Sequence, residues 1–162
     1  GVAIRIHEHS RQADSNVMAS HEQPATMIGG IRTTKTAAAF ETTGLVLKLY
    51  RAHFGQVPVI VTGAAGPQGP LDVAAAWRED RSALSLAIVN PTAEAQTMAL
   101  QLKGAACAPA ATLRRMAGTD PKAYNEPGKP PEVKIEEAAN VPVGDRLTLP
   151  PPSVSIYELR PR

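Results

Sequence analysis

The chain is short of the features that mark several large classes of protein. Its single cysteine, Cys107, has no partner for an internal disulfide, so no covalent staple is implied and oxidising and reducing compartments stay equally open. No apolar run approaches the roughly 20 residues needed to cross a bilayer as a helix. The net charge is only +2, from 17 Lys and Arg against 15 Asp and Glu, which supplies no field to gather phosphates or anionic lipid. Nucleic acid and membrane are therefore set aside as partners. Aromatic residues are scarce too: one Trp, three Tyr and two Phe. Trp77, Tyr50, Phe54 and Tyr157 fall where a core wants them. A stand-alone sugar-binding module, which needs exposed rings, is thereby disfavoured, although Tyr124 on a Pro-rich stretch stays free to stack. No Gly-x-Ser-x-Gly, zinc-ligand spacing or dinucleotide fingerprint occurs, so neither a cofactor nor a metal is expected.

What is present is enough apolar residue, 43% of the chain, to bury the core of one ordinary domain and a little more. Gly1 to Arg11 reads as the end of a helix. Asp14-Ser15-Asn16 offers breakers, and Pro24 forbids a helix through Gln23. Ala25 to Ile31 is apolar and ends in Gly29-Gly30, which suits a buried strand end or a tight loop. Thr33 to Gly55 looks like the closing helix of something larger: Thr42 and Thr43 are fit to cap its start and Gly55 to stop it. Leu45, Val46, Leu49, Tyr50 and Phe54 recur at helical spacing and make one apolar face.

After Gly55 the period changes from helical to alternating. Val57-Val59-Val61, Val73-Ala75-Trp77, Leu84-Leu86-Ile88 and Met98-Leu100-Leu102 alternate. Leu113 with Met116, Val133 with Ile135, Leu147 with Leu149 and Val154 with Ile156 follow. Turn-formers separate them at 66–70, 79–82, Asn90-Pro91-Thr92 and Val143-Gly144-Asp145. Seven or eight short strands at such spacing predict an antiparallel, jelly-roll-like β-sandwich from about Val57 to Leu159. Val73, Trp77, Leu86, Ile88, Leu100, Ile135, Leu149 and Ile156 are its expected core. Asp120 to Pro131, crowded with proline, is expected to be a stiff surface loop.

Few residues offer chemistry. His7 and His9 flank Glu8, but side chains two apart on a helix point about 200 degrees away from each other and cannot share an ion; a solvated helix face is expected. His21-Glu22-Gln23, just before Pro24, is either a polar loop or the lining of a pocket at a strand's C-terminal end. Arg32-Thr33-Thr34-Lys35-Thr36 is rich in donors but lacks a Gly-rich phosphate cradle, so a hydroxylated loop is expected. Cys107 has no cation near it in sequence to lower its pKa and is expected to be inert.

Several stretches together resemble the α-L-arabinofuranosidases of glycoside hydrolase family 51. They are Met27-Ile28-Gly29-Gly30-Ile31-Arg32-Thr33-Thr34, the run from Thr43 to Gly55, and Leu84-Ser85-Leu86-Ala87-Ile88-Val89-Asn90-Pro91. Tyr124-Asn125-Glu126-Pro127-Gly128-Lys129-Pro130-Pro131 and Ser153-Val154-Ser155-Ile156-Tyr157-Glu158-Leu159 complete the set, which covers nearly the whole chain. The resemblance implies a catalytic (β/α)₈ barrel joined to a β-sandwich. Residues 1–55 would then be the last β/α segment of the barrel, an α-helical remnant with a strand around Val17 to Glu22. Residues 56–162 would be the C-terminal sandwich.

The family uses two glutamates on barrel strands. None of Glu8, Glu22, Glu41 or Glu79 sits in a matching motif, so the resemblance places both before Gly1 and assigns no catalytic residue to this chain. It implies one substrate-binding residue, Gln23, matching a glutamine that contacts the arabinofuranose at the end of the last strand, on the face where barrel enzymes keep their sites. His21, Glu22, Pro24 and Thr26 depart from the family's usual neighbours of that glutamine. The partner implied is an arabinofuranosyl-containing glycan, with a homo-oligomer possible on family grounds. The alternative is a non-catalytic β-sandwich that packs on a partner or binds glycans.

Overall fold

The computed structural model describes residues 1–16, 18–21, 25, 29–63, 69–118, 120 and 122–162. Helix α1 (Val2–Arg11) ends with His9 and Arg11 in its last turn, where positive charge suits the carbonyl end of a helix. Strands β1 (Ile31–Thr33) and β2 (Ala38–Phe40) pair antiparallel, with Ile31 opposite Phe40. The turn between them is tied by the hydroxyl of Thr34, which accepts from the backbone N–H of Ala37 at 3.1 Å. Helix α2 (Thr42–His53) follows at once. It begins one residue earlier than a threonine cap would place it: the N-cap is Glu41, with no side-chain cap bond. Its start is set by packing, because Glu41 N–H donates to the Gly30 carbonyl at 2.9 Å and a Cβ on Gly44 would overlap that same carbonyl. Gly55 likewise stops the helix by close approach, since a Cβ there would run into the Trp77 backbone.

Eight strands follow: β3 (Val57–Val59), β4 (Asp72–Trp77), β5 (Leu84–Asn90), β6 (Gln96–Ala99), β7 (Cys107–Ala117), β8 (Glu136–Pro142), β9 (Arg146–Leu149) and β10 (Ser153–Pro161). Six of them form one antiparallel sheet in the order β3-β4-β5-β10-β7-β8, and β6 pairs with β9 in a second. The expected antiparallel sandwich is therefore present, with one large layer and one small one. β4 and β5 are buried almost throughout because the large sheet is covered on both faces, which removes the usual polar alternation. Val73, Leu86, Ile88, Tyr157 and Leu159 face β6 and β9, from which Leu147 and Leu149 complete that core. Ala87, Val89, Met116 and Ile156 face the helices, where Leu45, Val46, Leu49 and Tyr50 meet them. Alanines on this face let α2 come close, and Ser85 spans the gap: its hydroxyl donates to the Ala76 carbonyl and accepts from Gly55 N–H, both at 2.8 Å.

Five of the eight expected core residues are buried, and Trp77, Leu100 and Ile135 are half-buried. Trp77 closes β4 at the rim of the sheet with the Arg81 guanidinium 5.8 Å from its ring centroid. The strand expected at Val133 and Ile135 begins instead at Glu136. The reason is local: the Val133 backbone is already engaged, its N–H donating to the Asn125 side chain and its carbonyl accepting from it, each at 2.8 Å. The strand expected around Val17 to Glu22 falls partly on residues outside the described set, and Met18 to His21 carry no strand pairing.

Candidate functional site

The proline-rich loop lies on the β1–β2 hairpin, and one residue holds it there. Asn125 is 4% exposed. Its amide donates to the carbonyls of Phe40 at 3.0 Å and Val133 at 2.8 Å, so segments 85 residues apart in sequence are joined. The residue before it, Tyr124, is 45% exposed. The Arg32 guanidinium sits 4.6 Å from the Tyr124 ring centroid, and Arg32 Nε is 2.5 Å from Glu41 Oε1 at the start of α2. Phe40, 40% exposed, has Lys48 Nζ 5.3 Å from its centroid. The expected hydroxylated loop at 32–36 is thus partly strand and partly turn, and its arginine is committed to an ion pair and a ring.

A second constellation is closed to solvent. His7 is fully buried, which corrects the expectation of a solvated helix face, while His9 is exposed as their opposed directions require. His7 Nδ1 lies 2.7 Å from Asp72 Oδ1 and Nε2 lies 2.5 Å from the Tyr50 hydroxyl. The two ring nitrogens thus bridge the carboxylate and the phenol. Arg11 reaches the same Asp72 oxygen and donates to the Val73 carbonyl at 3.1 Å. Burial works to raise the Asp72 pKa, but the hydrogen bonds from His7 and Arg11, with their charges, outweigh it and hold the carboxyl below its ordinary value. Burial, then the Asp72 charge, push the Tyr50 phenol well above its ordinary value. This cluster ties α1, α2 and β4 together. Sequence reasoning missed it because its members lie 43 and 65 residues apart.

A third charged group lies by the end of α2. Arg114 Nε donates to Glu137 at 2.8 Å and Arg78 to Glu158 at 2.7 Å. His53 beside them is held below its ordinary pKa, first by burial and then by the Arg114 charge. An apolar groove of about 360 Å³ opens between the first turn of α1, the start of α2 and the ends of β5, β7 and β10, with Val46, Met116 and Val154 in its wall.

Gln23 and Glu22 lie outside the described residues. Of the other glutamates considered, Glu8 pairs with Arg11 at 2.8 Å, Glu41 pairs with Arg32, and Glu79 is exposed in the β4–β5 turn. Burial pushes the Cys107 thiol up, away from the thiolate. Among the described residues no group of three or more His, Cys, Asp or Glu could hold a metal, and no helix is long and apolar enough to cross a membrane.

A large antiparallel sheet, backed by helices on one face and a small sheet on the other, defines the class as a β-sandwich domain of the kind found in family 51 glycoside hydrolases. The family model of the α-L-arabinofuranosidase C-terminal domain matches residues 1–155, and the chain belongs to that family. No curated protein matches the sequence closely enough to count as a relative.

Among solved structures, an arabinose-bound α-L-arabinofuranosidase, MgGH51, matches with a TM-score of 0.85 at 18% identity, over 99% of this chain and 27% of its own. The α-L-arabinofuranosidase of Thermotoga maritima, an arabinose complex, matches with a TM-score of 0.81 at 21% identity, over 98% of this chain and 37% of its own. The family 51 arabinofuranosidase of Xanthomonas axonopodis pv. citri matches with a TM-score of 0.78 at 19% identity, over 98% and 34%. At these identities the likeness is one of fold. The chain spans between 27% and 37% of the length of these three structures.

Proposed function

We propose that this chain is the C-terminal part of a retaining α-L-arabinofuranosidase that releases terminal non-reducing α-L-arabinofuranosyl residues from arabinose-containing glycans. In this reading residues 1–55 are the last β/α segment of a (β/α)₈ catalytic barrel and residues 56–162 its sandwich. The observation that carries the reading is the match of one family model across both parts, residues 1–155. The shared core and the buried His7–Asp72 contact support it, because they dock α1 and α2 on the sheet as one packed unit.

Retaining hydrolysis needs a carboxylate nucleophile and a carboxylic acid roughly 5 to 5.5 Å apart. The nucleophile attacks the anomeric carbon, while the acid protonates the leaving oxygen and later takes a proton from water. Both are assigned to the part of the enzyme preceding Gly1. Glu8 and Glu41, held in ion pairs, suit structural roles. Gln23 is assigned to substrate: its amide orients a sugar hydroxyl but supplies neither nucleophile nor proton.

The test is hydrolysis of an aryl α-L-arabinofuranoside by the 162-residue chain and by the longer protein that contains it. The chain alone is expected to give no turnover, and the longer protein to hydrolyse with retained anomeric configuration. There, Gln23→Ala should lower kcat/KM with the melting temperature unchanged. Turnover by the chain alone, abolished by changing a glutamate within it, would overturn the assignment.

A further inference from the structure

We infer that Tyr124, backed by Arg32, is a stacking platform for a neutral sugar ring of the glycan stem that carries the arabinofuranosyl group. The inference rests on the arabinofuranosidase reading and adds to it a residue outside the reacting centre. The chain has one Trp, three Tyr and two Phe; Tyr50 and Tyr157 are buried, and Phe54 and Trp77 are half-buried. The two most exposed are Phe40, whose ring lies by Lys48, and Tyr124, whose ring lies by Arg32 on the other face of the hairpin; the buried amide of Asn125, next to Tyr124, bonds the Phe40 carbonyl and sets Tyr124 against that hairpin. A tyrosine ring with a guanidinium over it and close to half its surface exposed suits the C–H face of a sugar.

The ring is also held ready. Arg32 occupies one side of Tyr124 and is itself fixed by Glu41, and Asn125 pins the adjoining backbone by three hydrogen bonds. Little side-chain freedom is then lost on binding. The Arg32 charge is matched by Glu41, so the platform favours a neutral ring over an anionic one.

The experiment uses the longer protein, with an arabinose-substituted xylo-oligosaccharide and an aryl α-L-arabinofuranoside as probes. Binding of the oligosaccharide is followed by calorimetry, and hydrolysis of both compounds by initial rates. Tyr124→Ala should weaken oligosaccharide binding by about tenfold and lower the ratio of kcat/KM for oligosaccharide over aryl glycoside by a similar factor. Tyr124→Phe, which keeps the ring, should stay within about twofold of wild type on both readouts. Equal affinity of wild type and Tyr124→Ala would show the ring covered or idle and overturn the platform. So would an unchanged ratio, or failure of the wild type to bind the oligosaccharide. Failure of the wild type to hydrolyse the aryl glycoside would instead overturn the arabinofuranosidase reading, leaving the binding measurement to decide the platform.

Discussion

At the scale of single residues, His7 shows how much one buried polar group can organise. It has no exposed surface and faces Asp72 and Tyr50, with Arg11 on the same carboxylate oxygen and Phe54 6.4 Å from its ring. Truncation to alanine would leave a buried phenol and a carboxylate short of a partner, a loss of about 3 kcal/mol measurable by urea unfolding. Tyr50→Phe removes only the hydroxyl and should cost about 1 kcal/mol at neutral pH. Its larger signature is the pH profile. The Tyr50 phenol is raised in the folded state, so its contribution is complete below the unfolded phenol's pKa of about 10 and is lost as pH rises above it. The variant should therefore lose less stability between neutral pH and strongly alkaline solution than wild type, with Tyr157, raised by burial as well, retaining the remainder. Asp72 acts in the opposite direction. Its depressed carboxyl contributes above the unfolded carboxylate value of about 3.9 and loses that contribution as pH falls below it.

At the scale of elements, helix α2 is placed by contact and not by its cap. Gly44 lies on the Gly30 backbone, and Leu45, Val46, Leu49 and Tyr50 are buried on the sheet-facing side. Alanine at an exposed helical position is better than glycine by about 1 kcal/mol. Here the added methyl meets backbone that cannot swing aside, so Gly44→Ala should reverse that sign and destabilise by about 1 to 3 kcal/mol in denaturant unfolding. An unchanged or raised midpoint would mean that the hairpin and helix separate without cost. The helix itself was legible in the sequence from the 3.6-residue spacing of its apolar face. Its exact start was not, because Thr42 and Thr43 carry a cap signature while the Gly30–Gly44 approach depends on chain brought alongside by the fold. The same holds for β8: the apolar pair Val133 and Ile135 signals a strand, but Asn125 takes the Val133 backbone and the ladder starts three residues later.

For the whole molecule, the six-stranded sheet serves two cores at once. Ile88 and Leu49, each wholly buried, lie on opposite sides of it. Alanine at either position should cost about 2 to 5 kcal/mol. Because both faces belong to the same strands, either variant should lower a single unfolding transition seen identically by circular dichroism and by Trp77 fluorescence. Two separated transitions would show that α1 and α2 leave the sandwich independently, contrary to the continuous packing of Ile156 and Ala87 against α2.

The sequence by itself determined the order and type of most elements, because alternation and helical spacing are local properties of a chain in water: β4, β5 and β10 fall where Val73, Leu86 and Ile156 predict. It also carried the family, since the resemblance rests on ordered stretches across nearly the whole length. Tertiary structure alone decided what the polar side chains do. His7 looks like a solvent-facing helix residue until Asp72 and Tyr50 are packed over it. Tyr124 is one unassigned ring until Asn125 sets its loop on the hairpin that bears Arg32 and Phe40. Burial, pairing and electrostatics depend on neighbours distant in sequence, and only the folded chain brings those neighbours together.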